Sequence, residues 1–245
     1  MGALESELLP GCSARIDIDG VPSGTGFFVT GKDLITCRHV VSEAMRIEVC
    51  DRHGGRHRVA TPPVIGTEFD LAWLTLEASV TSAPPALLGE IAGVGGTLYS
   101  FGYPENSPGE PATFEIEGLT GDVPPRIKFK AGQAKPGMSG SPLLNMRTGV
   151  VCAILVSTRG RQSSLGGYGV PVATMLSAPR FRELGALNAA AHVADRRWVS
   201  ALTAEQEKLS ADNAQTETKF TTEVSGNARV GKIVNIGDVS GPVTF

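Results

Sequence analysis

The chain has 245 residues and a mass of 25.6 kDa, with 41% hydrophobic and 19% charged residues. That balance excludes wholesale disorder and allows one large domain plus appendages. With 22 basic against 25 acidic residues the net charge is −3, so no basic excess exists to neutralise a run of phosphates, which argues against nucleic acid as the main partner.

The N-terminus, MGALESELLPGCSAR, has no basic start and no long apolar core, so it does not read as a signal peptide. No apolar run is long enough to span a bilayer, so no membrane anchor is expected. Gly2 followed by Ser6 fits a myristoylation pattern short enough to arise by chance. The four cysteines, Cys12, Cys37, Cys50 and Cys152, form no CxxC pair and no metal-ligand spacing. They read as reduced, mostly buried thiols of a cytoplasmic protein.

From about Ser13 to Thr174 the chain is a series of short strand signals: SARIDID, GTGFFVT, DLIT, RIEV, LAWLTL, GTLYSFGY, RIKFK, GVVCAILVS and GYGVPV. Each is rich in β-branched or aromatic residues and bounded by Gly, Pro or Asp, and no long helical pattern separates them. This predicts an all-β antiparallel sandwich or barrel, with PPALLG (84–89) as a connection between halves. After Pro179 the glycines thin out. Leu184, Leu187, Ala191, Ala194, Trp198 and Leu202 recur every three or four residues, which predicts a helix over about 180–210. A polar linker (211–223) and a glycine-punctuated, β-branched segment (224–245) complete the chain.

Three local patterns carry chemistry: ITCRHVV with His39, FDLAWLTL with Asp70, and KPGMSGSPLL with Ser139 between Gly137 and Gly140. Alone, His39 reads as a satisfied core histidine, Asp70 as a turn residue before a strand, and GMSGSP as a tight turn. Together they supply what acyl transfer requires. A serine hydroxyl needs an imidazole to take its proton, and the imidazole needs a carboxylate to fix its tautomer. Glycines beside the serine let the backbone N–H groups of Gly137 and Ser139 converge on a developing oxyanion.

GTGFFVT, TCRHV, DLAWL and GMSGSP together resemble the successive signature blocks of bacterial trypsin-like serine peptidases of the chymotrypsin fold, over about residues 13–176. The resemblance implies two six-stranded antiparallel β-barrels within a peptidase domain at 1–178, with the active site in the cleft between them. It assigns His39 as general base, Asp70 as its orienting partner and Ser139 as nucleophile. His53, His57 and His192 match no block and read as solvated or structural. Where zymogen-activated members carry an acidic residue before the nucleophile, this chain has Met138, so control by a newly cut N-terminal amine is not expected. The resemblance puts Gln133 at the floor of the primary specificity pocket and Ser157 and Gly169 at its walls. An uncharged floor gives no charge-based choice of substrate residue.

The last segment, GNARVGKIVNIGDVSGPVTF, has a core of Ile233, Val234, Asn235, Ile236 and Gly237. High β propensity, an amide able to form ladders and no net charge are cross-β features; an edge strand docked on the peptidase and a disordered tail are the alternatives. The segment resembles the bacterial amyloid signalling motifs, which are prion-like, and the animal homotypic-interaction motif with a V/I-Q-V/I-G core. By that resemblance it would template onto a matching motif of an NLR-like ATPase and self-assemble. The expectation is therefore an intracellular serine endopeptidase effector of cell-death or antiphage defence, without metal or cofactor and acting on protein substrates. The alternatives are an HtrA-like constitutive quality-control protease, weakened because no peptide-binding domain fits into 177–245, and a catalytically silent adaptor.

Overall fold

The computed structural model describes residues 2–90, 93–105, 107–158 and 165–216, with the backbone only beyond 208. The segment 224–245, with Ile233 to Gly237, lies outside the described residues, as does most of the expected linker. After a π-helical turn (Leu4–Leu8) and a short helix α1 (Leu9–Cys12) come seven strands: β1 (Ser13–Ile18), β2 (Val21–Phe28), β3 (Asp33–Cys37), β4 (Ile47–Cys50), β5 (Arg56–Arg58), β6 (Val64–Gly66) and β7 (Leu71–Thr75). Helix α2 (Arg38–Val41) is inserted after β3. Six more strands complete the β structure: β8 (Thr97–Gly102), β9 (Glu110–Leu119), β10 (Ile127–Lys130), β11 (Pro142–Asn145), β12 (Val150–Thr158) and β13 (Gly167–Pro171).

The second set closes into the expected six-stranded antiparallel barrel, in the order β10-β13-β12-β11-β8-β9. Phe114, Ile116, Phe129, Leu143 and Leu155 fill it. The first set forms a seven-stranded sheet, β5-β4-β1-β2-β3-β7-β6, where a closed six-stranded barrel was expected. The extra strand has a local cause. Pro62 and Pro63 interrupt what would be one strand opposite β7, because proline cannot donate to a ladder. Before the break, Ala60 N–H donates to Thr75 O (2.7 Å), Glu77 N–H donates to Arg58 O (3.0 Å), and Val59 bridges Leu76. Beyond it, β6 pairs with β7 through Val64–Trp73 and Gly66–Leu71. The sheet therefore curls until the chain leaving β5 meets the chain leaving β7, while β6 pairs with β7 itself.

The single helix expected after Pro179 is divided. Three helices come after the strands: α3 (Val172–Ser177), α4 (Arg182–Ala194) and α5 (Arg197–Thr216). The break between the last two falls at Asp195, whose carboxylate accepts the Arg197 N–H at 3.0 Å and caps α5. Residues 211–216, read as linker, continue α5. Phe181, Leu184 and Trp198 are buried in the same apolar cluster as Phe27, Leu74 and Val151, so the helices pack across both β units. The N-terminal Leu4, Leu8 and Leu9 join this cluster, burial that their short run did not announce.

Candidate active site

The β3–β7 register sets Cys37 opposite Leu71. The residues immediately past the end of one strand and before the start of the other, Arg38–His39 and Asp70, therefore meet at one corner of the sheet. Arg38 N–H donates to Asp70 O at 2.9 Å. His39 N–H donates to Asp70 Oδ1 at 3.1 Å, and His39 Nδ1 lies 2.6 Å from Asp70 Oδ2. Asp70 holds φ +58°, a left-handed conformation that aspartate tolerates better than most residues, and this aims its carboxylate at the imidazole. Partial burial raises the Asp70 carboxyl, but the hydrogen bond and charge of His39, its N–H and the Arg38 guanidinium more than offset that, leaving it below its ordinary value. An ionised Asp70 requires the proton on Nδ1 and leaves Nε2 as the acceptor.

Ser139 arrives from the other barrel, on the loop between β10 and β11. The loop is a tight turn: Met138 N–H donates to Lys135 O (3.1 Å) and Ser141 N–H to Met138 O (3.0 Å). Gly140 has φ +90°, and a Cβ there would fall on the Thr25 carbonyl oxygen. Gly137 also has φ +90°, with Tyr103 O 2.5 Å from where a Cβ would stand. Only glycine fits at either position. Met138 is 1% exposed and belongs to the second barrel's core, so the position before the serine is an apolar anchor. The loop is fastened to the first sheet by Thr25, whose N–H donates to Ser139 O (2.9 Å) and whose Oγ1 donates to Gly137 O (2.8 Å) and accepts the Tyr103 N–H (2.9 Å). No motif singled out Thr25; its place between two glycines in GTGFF was the available signal.

The carbonyls of Pro136 and Met138 are engaged by Glu105 N–H (3.2 Å) and Ser141 N–H (3.0 Å). In a trans peptide the following N–H points the opposite way. Those N–H groups belong to Gly137 and Ser139, and neither donates to any partner among the described residues.

A cleft of about 590 Å³ runs between the first sheet and the barrel and is lined by His39, Asp70, Ser139 and Gly137 among others. Ser157, expected at a pocket wall, also lines it, and Val156, Glu105 and Lys135 add to it unpredicted. A second hollow of about 310 Å³ shares Asp70, Val156 and Ser157 and is bounded by Asp122 and Arg126. Gln133 and Gly169 line neither cavity; Gly169 sits in β13, paired with Ile127 and Leu155. The Ser139 hydroxyl makes no hydrogen bond among the described residues, so the imidazole–carboxylate pair is formed and the serine–imidazole contact is open. Serine rotates about a single side-chain torsion, and such contacts commonly tighten only when substrate arrives. Of the histidines outside the motifs, His57 is held by Asp51 at 2.8 Å and His192 is buried in α4.

The family described as trypsin-like peptidase domain matches residues 24–154, just over half of the chain. Protease Do-like 3, mitochondrial, of Arabidopsis thaliana is 29% identical over 133 residues, covering 53% of this chain and 22% of that protein. The chain thus spans about a fifth of that relative's length. Similar solved structures include Rv3671c from M. tuberculosis H37Rv in an inactive mutant form (TM-score 0.61, 18% identity, 75% of this chain and 93% of that one). The serine endoprotease from Yersinia pestis gives a TM-score of 0.62 at 17% identity, over 75% of this chain and 66% of that one. The HtrA-type protease AlgW with a tripeptide gives 0.61 at 19%, over 71% and 61%. At these identities the structural likeness speaks for the fold.

Proposed function

Because this chain belongs to the trypsin-like peptidase family, we propose that it is a serine endopeptidase in which Ser139 is the nucleophile, His39 the general base and Asp70 the group that fixes the imidazole. The observation that carries the reading is the 2.6 Å His39–Asp70 hydrogen bond opening on the cleft that Ser139 lines. In the reaction Ser139 Oγ attacks a peptide carbonyl carbon while its proton passes to His39 Nε2. The oxyanion accepts the two unengaged N–H groups of Gly137 and Ser139. His39 returns the proton to the leaving amine, and water then repeats the sequence on the acyl-enzyme. The substrate is an extended segment of a protein. Ser157, which lines the cleft, is the residue we carry forward for the primary pocket; Gln133 and Gly169, expected beside it, do not line that cleft.

A phosphonate probe that bonds only to activated serines tests the reading. The wild-type chain should be labelled, Ser139→Ala should not, and His39→Ala should label about 10⁴-fold more slowly or worse. A wild-type chain that resists the probe, or a Ser139→Ala variant that still reacts, overturns it.

For regulation, we propose that residues 224–245 recruit the peptidase to an NLR-like ATPase bearing a matching segment, in bacterial defence. The GNARVGK and GDVSG sequence around Val234-Asn235-Ile236-Gly237 supports this. Stacked segments would hold many peptidase units at high local concentration. A second reading, a constitutive quality-control protease, is favoured by the likeness to Do-like and HtrA-type proteases. Removing residues from 220 onward separates the two: recruitment predicts loss of directed cleavage in cells, constitutive activity predicts none.

A further inference from the structure

The corner that joins β3 to β7 holds a third potential ligand that the peptidase reading leaves unused. Cys37 is fully buried, and its Sγ donates to Leu155 O at 3.4 Å. Its sulfur, a ring nitrogen of His39 and a carboxylate oxygen of Asp70 all lie within 4.8 Å of one another. A comparable trio, Asp17, Glu48 and Cys50, is already occupied by cations of the protein: Arg15 lies 2.7 Å from Asp17, and Arg56 pairs with Glu48. At the Cys37 corner the arginine is more distant, with Arg38 Nε 3.5 Å from Asp70 Oδ1, and among the described residues Oδ2 bonds only the imidazole.

We propose that Cys37, His39 and Asp70 form a binding site for a thiophilic divalent cation such as Zn²⁺, and that its occupancy switches the peptidase off. One thiolate, one imidazole and one carboxylate, with a cleft water as fourth ligand, make a tetrahedral set suited to zinc. Metal–sulfur bonds of about 2.3 Å and metal–nitrogen or metal–oxygen bonds of about 2.1 Å ask for ligand separations of roughly 3.4–3.7 Å. The sulfur must draw in, and the His39–Asp70 pair, now 2.6 Å apart, must open by roughly 0.8 Å to reach that separation.

On binding, the Cys37 thiol releases its proton to solvent. The imidazole proton leaves Nδ1, which takes the metal, and Nε2 carries a proton instead. Nε2 then has no lone pair with which to accept the Ser139 proton. Binding therefore needs no other co-reactant. The inhibitory consequence rests on His39 being the general base, whereas the site itself does not.

Co²⁺ titration of the full chain reads the site directly. The expected result is a sulfur-to-cobalt charge-transfer band at one equivalent, displaced by Zn²⁺, absent in both Cys37→Ala and Cys37→Ser and retained in Cys152→Ala. In parallel, Zn²⁺ should slow phosphonate labelling of Ser139 at least tenfold, with recovery on chelation. Cys37→Ala should label at the wild-type metal-free rate and lose the zinc sensitivity. No charge-transfer band, or zinc inhibition that persists unchanged in both Cys37 variants, overturns the proposal. Failure of the metal-free chain to label at all strikes the serine peptidase reading instead, and leaves the cobalt band to decide the site.

Discussion

Thr25 holds the Ser139 loop of the second barrel to the first sheet through two hydrogen bonds that it donates, and its hydroxyl also accepts the Tyr103 N–H just past β8. Asp17 plays a comparable fastening role on the outside of the first sheet. It is 1% exposed and bonded by Arg15 at 2.7 and 2.9 Å and by the Cys50 thiol at 3.3 Å. Burial raises its carboxyl, and the Arg15 and Cys50 hydrogen bonds with the charges of Arg15 and Arg56 overcome that and hold it below the ordinary 3.8. The sign comes from linkage: a depressed carboxyl contributes stability that is complete above its unfolded value and disappears as pH falls through its folded one. Asp51, depressed by His57 and two backbone N–H groups against its own burial, acts in the same direction. Asp17→Asn should therefore lower stability at neutral pH and flatten the loss of stability between about pH 5 and pH 3, as read by urea unfolding across that range.

At the scale of elements, the helices after Pro171 act on the linker that joins the two β units. Asn188 of α4 donates from Nδ2 to Val29 O (2.7 Å) and Ala86 O (2.8 Å) and accepts the Leu88 N–H (3.2 Å). Arg197, at the start of α5, reaches the carbonyls of Thr81, Ser82 and Ala83 at 2.9–3.2 Å. Unpaired buried backbone groups cost about 1–3 kcal/mol each. Asn188→Ala, which orphans three of them, should destabilise by at least about 3 kcal/mol, measured as a fall in the urea midpoint at unchanged slope. The strand β9 shows why one long element was not among the clearest in the sequence. Its glutamates face outward and pair with lysines of β10, Glu117 with Lys128 at 3.4 Å and Glu115 with Lys130 at 3.1 Å. Ala112, Phe114 and Ile116 turn inward, and a strand this charged lacks the β-branched density that marked the others.

For the whole molecule, the informative boundary lies between Glu207 and Lys208, where the first of two compact units ends. Trp198 is 1% exposed and its Nε1 donates to Gly149 O at 2.8 Å, in the turn between β11 and β12. A chain ending after Glu207 keeps this contact and should melt like the full chain. A chain ending after Ala194 loses both Trp198 and Arg197 and should be less stable by about 3–5 kcal/mol or more, which paired thermal melts would register.

Consecutive positions were enough to reveal the strand-rich class, the helical turn of composition after Pro179, and three patterns holding His39, Asp70 and Ser139. Period, turn residues and glycine spacing are local properties and can be read along the chain. Within the described residues, everything else depended on how distant segments pack. The register of β3 on β7 brought His39 to Asp70, and the packing of the barrel against the first sheet put Ser139 in the same cleft. The same packing buried the N-terminal leucines, set Asn188 on the linker, left Gln133 and Gly169 off the cleft wall, and brought the Cys37 sulfur beside the imidazole. Such contacts join residues tens of positions apart, and their geometry is fixed only when the chain closes on itself.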